Sequence, residues 1–181
     1  MYIEQVRKET NAFWLYIIGT VILGIIILIG NLPFAFALIS EVGLDSSQLS
    51  MAEQMQVLPS NMTLFLLLLP FTLAFGAILL IVKTLHNLSL REFITSRPKV
   101  DWKRICFGFA SVVITLVLML ALSYFMNPES LKWNFNPGPF VLLVLISVLM
   151  VPLQTSAEEL FFRGYLMQGL GRIFSKRIFP F

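Results

Sequence analysis

The sequence has 181 residues, of which 57% are hydrophobic and only 13% are charged, about half the charged share of a soluble globular domain. This composition excludes a water-soluble domain, and the net charge of +3 comes from basic residues beside apolar stretches, with no stripe or motif that would recognise a nucleic acid. The single cysteine, Cys106, excludes an intramolecular disulfide and a CxxC metal site.

Four segments without any charged residue follow one another along the chain, and each is long enough to cross a hydrocarbon layer ~30 Å thick as a helix. We predict an all-α fold, a polytopic membrane helix bundle with about four transmembrane helices, that forms a single membrane domain over residues 1–181. Pro33, Pro70 and Pro152 are expected to bend helices or to mark their ends. The predicted spans are residues 12–39, 62–82, 105–126 and 139–162.

The signs of the connecting segments predict the orientation. Residues 41–61 contain three acidic residues and no Lys or Arg, whereas residues 83–104 contain six basic residues. By the positive-inside rule, the first segment lies outside and the second in the cytoplasm. We therefore expect an integral protein of the plasma membrane with both termini cytoplasmic.

Membrane lipid is an expected partner, and several features near the span ends would contact it. Trp14, Trp102 and Trp133 suit the headgroup level, where an amphipathic indole ring is stable. Residues 89–93 are expected to form part of an interfacial amphipathic helix that anchors the basic segment.

Two adjacent carboxylates, Glu158 and Glu159, lie near the end of the fourth apolar segment, and ionisable groups in a span usually mark function. Adjacent helical residues point about 100° apart, so the two need separate roles. Glu159 is placed to pair with Arg163, four residues on. Glu158 is then free to act as a general base. In the alternative, both glutamates simply end the span at the headgroups.

Residues 158–165 read Glu-Glu-Leu-Phe-Phe-Arg-Gly-Tyr, which resembles the E-E-x-x-x-R signature of the CAAX-protease/bacteriocin-processing family, also called the Abi family of membrane metalloproteases. The flanking Pro152-x-Gln154-Thr155 and the Leu166 that follows Tyr165 resemble the bacterial branch. The motif region is about 139–181, and the resemblance covers roughly the N-terminal half to two thirds of a typical member.

The resemblance implies that Glu158 activates the hydrolytic water and that Glu159 and Arg163 support the site. In the family, later spans supply F-x-x-x-H and H-x-x-x-N/D motifs, and neither occurs in this sequence. Its only histidine, His86, is expected to be solvated at the membrane interface. We therefore expect a truncated or fragmentary member that is inactive alone. The resemblance allows a divalent metal such as zinc, but assigns no cofactor-binding residue here.

The leading hypothesis is a membrane-embedded endopeptidase of the CAAX-protease type. Its substrate would be a peptide or protein near the membrane, such as a prenylated peptide or a bacteriocin leader, and the sequence does not choose between these. Two alternatives stay open. One is a non-catalytic membrane protein, such as a bacteriocin-immunity or scaffold protein, and the other is a small transporter that uses Glu158 as a proton or cation site.

Overall fold

The computed structural model describes residues 13–88, 93, 101–130 and 134–171. Five α-helices follow in chain order: α1 (Phe13–Val42), α2 (Met51–Val57), α3 (Ser60–Thr84), α4 (Trp102–Met126) and α5 (Pro137–Glu159). Short 3-10 helices cover Gly43–Gln48 and Pro128–Ser130, and a π-helix covers Leu160–Leu166. The predicted interfacial helix around residues 89–93 lies outside the described residues except for Phe93, and Trp133 lies outside them altogether.

Four of these helices are long and apolar enough to cross a membrane, which confirms the all-α prediction and the four spans. Three of them begin and end within three residues of the predicted bounds. The fourth continues to Gly171 instead of ending near residue 162, because the π-helix carries the chain on without a break. Pro33, Pro70 and Pro152 all lie inside helices.

The helices fall into two compact units. One contains α1, α2, α3 and α5 from Gly138 onwards, and the other contains α4. In the second unit Asp101 is the N-cap of α4, where its side chain accepts a hydrogen bond from the Arg104 backbone N–H and pairs with the Arg104 side chain at 3.0 Å. The prediction of a single membrane domain stays a prediction.

The core of the first unit forms where α1 packs on α3, with residues from beyond α3 and from the π-helix added at one end. A Cβ placed at Gly30 of α1 would lie 2.7 Å from the Cα of Pro70 in α3, so only glycine allows this close backbone approach. The buried members of the core are Tyr16, Leu23, Ala74, Ala77, Ile78, Ile81, Val82, Leu88, Phe93, Leu160 and Tyr165.

The connection between α1 and α3 is ordered by a capping box at α2. The Ser50 hydroxyl and the Ser50 backbone N–H both donate to the Glu53 carboxylate, at 2.7 and 2.8 Å, and the Glu53 N–H donates back to the Ser50 hydroxyl. The two hydrogen bonds that the Glu53 carboxylate accepts lower the pKa of Glu53, and the bond from the Ser50 hydroxyl has the larger effect. The spacing Ser50-x-x-Glu53 is typical of a helix N-terminus, although a helix over Met51–Val57 is not among the predicted elements.

A matched pair of glycine substitutions tests the packing of α1 on α3. Gly30→Ala should lower the free energy of unfolding by about 1–3 kcal/mol, because the new methyl group meets the α3 backbone. Gly24→Ala in the same helix has no atom within 4 Å of the new Cβ and should raise stability by about 0.5–1 kcal/mol. Unfolding of both variants by SDS titration in mixed micelles measures the difference. Equal effects at the two positions would contradict the close contact.

Candidate functional site: a glutamate pair beside a π-helical turn

Glu158 and Glu159 occupy the last turn of α5, and both side chains are exposed. The Gln154 side-chain amide, one turn earlier, donates to Glu158 Oε1 at 3.5 Å, the long limit for a hydrogen bond. Among the described residues Glu158 has no ion-pair partner. Its carboxylate is therefore open to a proton, a water molecule or a cation.

Glu159 forms the ion pair that its spacing predicts. Glu159 Oε1 lies 2.6 Å from Arg163 Nη1, and both side chains are more than half exposed. In water such a pair contributes about 0–1 kcal/mol, so its importance here is geometric. Because the Arg163 guanidinium is engaged with Glu159, it is not the partner of Glu158.

A cleft of ≈ 540 Å³ opens beside the ion pair, between α3 and the end of α5. Its lining combines apolar side chains with the Glu159 carboxylate and two hydroxyl-bearing side chains. The Thr155 hydroxyl already donates to carbonyl oxygens of its own helix. The lining residues are Phe75, Thr155, Ser156, Glu159 and Leu160.

Directly after the glutamates, the helix changes to i→i+5 hydrogen bonding over Leu160–Leu166, a rare geometry that is frequent at functional sites. The change divides the helix into two chemical sides. Glu158, Glu159 and Arg163 are exposed, whereas Gly164 and Tyr165 are buried.

His86 is not solvated, so the sequence-based interpretation of this residue is wrong. Its side chain is 3% exposed, and its Nε2 lies 3.0 Å from the Tyr165 hydroxyl oxygen. The reason is the turn that follows α3: Asn87 adopts a left-handed φ of 50°, and the Leu88 N–H donates to the Val82 carbonyl. The chain therefore folds back over the helix end and carries His86 into the core.

Tyr165 connects His86 to α1. Its hydroxyl donates to the Leu15 carbonyl oxygen at 3.1 Å, and the Tyr16 ring packs against both side chains, with centroid distances of 4.4 Å to His86 and 5.1 Å to Tyr165. Sequence reasoning placed Tyr165 in the signature but missed its contact with His86, 79 residues away. No local pattern signals a pairing over that separation.

The two contacts of the Tyr165 hydroxyl determine which nitrogen of His86 carries a proton. A hydroxyl has one proton, and a carbonyl oxygen can only accept. Both contacts are hydrogen bonds only if Tyr165 donates to Leu15 and the His86 Nε2–H donates to Tyr165. The geometry therefore favours the Nε2–H form of His86.

A zinc site does not fit the described residues. No group of three His, Cys, Asp or Glu side chains within them could hold a metal ion, and a zinc site needs at least three protein ligands. The Nε2 of His86 is engaged with Tyr165, on the buried side of the helix.

Four apolar helices of transmembrane length define this chain as an integral membrane protein of the α-helical class. No family model matches it, and no solved structure matches it. Among curated proteins it is similar to the uncharacterized protein YyaK of Bacillus subtilis (strain 168), with 28% identity over 173 residues, which are 95% of this chain and 58% of the relative. The chain thus spans less than two thirds of that relative's length.

The protonation of His86 can be measured directly, because the sequence contains one histidine. In the chain labelled with ring-15N histidine and reconstituted in lipid, Nε2 should give the signal of a protonated ring nitrogen with a coupled proton. Tyr165→Phe should change the shift of Nε2, whereas Tyr124→Phe, at an exposed tyrosine of α4, should not. An unprotonated Nε2 in the unchanged protein would contradict the assigned hydrogen bonds.

Proposed function

We propose that this chain forms the glutamate-bearing part of a membrane-embedded endopeptidase of the CAAX-protease type, which hydrolyses a peptide bond near the cytoplasmic membrane face. The observation that carries the proposal is that the two glutamates have different contacts. Glu159 pairs with Arg163, while Glu158 is exposed and, within the part of the chain that the structure describes, has only a long contact with the Gln154 amide. A carboxylate that has no ion-pair partner among the described residues suits a general base.

In the proposed reaction the Glu158 carboxylate removes a proton from a water molecule as the water oxygen attacks the peptide carbonyl carbon. The new C–O bond forms first, and the C–N bond breaks when the protonated Glu158 returns the proton to the leaving amine. Glu159 and Arg163 keep the end of α5 in place. The cleft beside Glu159 would receive the apolar part of a membrane-proximal substrate.

Stabilisation of the oxyanion supplies a large share of acyl-transfer catalysis, and we assign no donor for it to the described residues. The second candidate is a non-catalytic membrane protein that keeps the fold for binding, such as an immunity or scaffold protein, which needs no such donor. The two candidates differ in whether the full product of the gene cleaves peptides in a way that depends on Glu158.

We also propose that the protein resides in the plasma membrane with both termini in the cytoplasm. The proposal depends on the acidic segment 41–61 and the basic segment 83–104. The described part of the first segment includes Glu41, Asp45 and Glu53, all exposed.

Cysteine labelling tests this orientation. In a Cys106→Ser background, a cysteine at the exposed Gln48 should react with a membrane-impermeant thiol reagent added to intact cells. A cysteine at Ser96, outside the described residues, should react only after the cells are opened. The reverse pattern would overturn the proposed orientation.

Substitution of the proposed base tests the chemistry. In the full product of the gene, Glu158→Gln should reduce peptide cleavage by about 10²–10⁴-fold, because an amide cannot accept the proton of water. Glu159→Gln should reduce cleavage less, in step with its loss of thermal stability. The matched control is Glu129→Gln, at an exposed glutamate outside the four spans, which should cleave like the unchanged protein. Full cleavage by folded Glu158→Gln would exclude Glu158 as the base.

The 181-residue chain by itself should insert in membranes without cleaving peptides. The reason is chemical: the one imidazole of the chain is buried against Tyr165, and general base catalysis needs heavy-atom contact of about 3 Å, directly or through one water. Purified chain in liposomes should therefore release no more product from a peptide library than its Glu158→Gln variant. Reproducible cleavage that this variant lacks would contradict the expectation.

A further inference from the structure

The buried contact between His86 and Tyr165 has no part in the proposed proton transfer, yet it lies in the same helix as the glutamates. Tyr165 belongs to the π-helix that begins directly after Glu159. Its hydroxyl is bonded to α1 through Leu15 and to the turn after α3 through His86. One side chain thus fastens the π-helix to two other elements.

The backbone of α1 lies close against the Tyr165 side chain. A Cβ at Gly19 of α1 would collide with the Tyr165 hydroxyl and would lie 3.0 Å from Ile81. On the neighbouring residue, a Cβ at Gly164 would lie 2.9 Å from the Phe93 ring. Glycine at both positions lets the π-helix approach closely, and a side chain at either one would push it away.

A π-helix uses one more residue per hydrogen-bonded turn than an α-helix. If one such turn relaxed to α geometry, everything on one side of it would rotate by about 100° relative to the other side. Relaxation would therefore turn α5 and the Tyr165 side chain relative to each other, so that α5 could keep its present direction only if Tyr165 gave up its contacts with Leu15 and His86. If α5 turned, Glu158 and Glu159 would face a different direction, and the cleft beside Glu159 would change its lining.

We propose that Tyr165 and His86 are positioning residues that hold the π-helix in place and thereby set the direction in which Glu158 and Glu159 point. His86 acts by donating its Nε2–H to the Tyr165 hydroxyl, which in turn donates to the Leu15 carbonyl. Only the expected effect of Tyr165 and His86 on catalysis rests on the proposed function. The structural part concerns the orientation of α5 and is measured separately.

The structural test uses distances between nitroxide spin labels in the 181-residue chain, in a Cys106→Ser background and in lipid nanodiscs. One pair joins Leu80 of α3 to Val148 of α5, and a second pair joins Leu80 to Phe162 in the π-helix; all three side chains are exposed. Tyr165→Phe removes both hydrogen bonds. It should shift or broaden the distance distribution of at least one of the two label pairs by roughly 5–10 Å, the displacement of a side chain that rotates about its helix axis. Tyr124→Phe should leave both distributions unchanged.

Two substitutions of His86 separate positioning from general loss of packing. His86→Gln keeps an N–H donor at a similar reach, so its distances should match those of the unchanged protein. His86→Leu fills the space without a donor and should reproduce the Tyr165→Phe distribution. A cooperative thermal unfolding transition shows whether the Tyr165→Phe variant is folded. The inference is overturned if this folded variant leaves the distances of both label pairs unchanged, or if His86→Gln and His86→Leu give the same distances.

The catalytic test uses the full product of the gene. Tyr165→Phe should lower kcat by about ten-fold to a hundred-fold with KM nearly unchanged, because a displaced base loses the reactive geometry. His86→Gln should recover most of that loss. Altered distances with an unchanged kcat would overturn the positioning role. If cleavage does not depend on Glu158, the proposed function fails, and the distance measurements still decide whether the two residues orient α5.

Discussion

The arrangement of the first unit depends on how closely other atoms can approach one face of α1. In hydrocarbon, apolar burial does not drive helices together, so association depends on tight packing of small residues and on hydrogen bonds between helices. Gly30 allows tight packing because it lets the α3 backbone approach at Pro70. Gly19 allows a hydrogen bond between helices because it leaves room for the Tyr165 hydroxyl. Without these two glycines, α1 would be held away from both α3 and the π-helix. The core at this end of the unit and the burial of His86 follow from that contact.

The fourth span has charged side chains on an exposed side and a polar contact on a buried side. On the exposed side, Glu158, Glu159 and Arg163 can meet solvent or another molecule, and the ion pair leaves one carboxylate uncommitted. On the buried side, Tyr165 and His86 satisfy each other, so that polar atoms can lie in the core without the cost of an unmade hydrogen bond. Exposed charged side chains and a buried polar contact thus occupy consecutive turns of one helix.

The spans could be predicted from composition because any stretch of about 20 uncharged residues in lipid must satisfy its own backbone hydrogen bonds as a helix. The Glu159–Arg163 pair could also be predicted, since a spacing of four places both side chains on one face. The burial of His86 could not, because it depends on a left-handed residue at Asn87 and on a partner in a distant helix. The continuation of the fourth span past residue 162 was not predicted, because the charged residues Glu158, Glu159 and Arg163 are expected to end the span; in the structure the helix continues through Gly164, which makes room for Phe93.

The π-helix also determines where this protein can tolerate a change in its length. Deletion of one residue from the middle of α5 would rotate the two ends of the helix against each other by about 100°, and would turn the glutamates away from the side they now occupy. Deletion of one residue within Leu160–Leu166 would instead let one wide turn close to α geometry, with the flanking turns still facing their present neighbours. Natural variants that are one residue shorter in this span should therefore have lost that residue between Leu160 and Leu166.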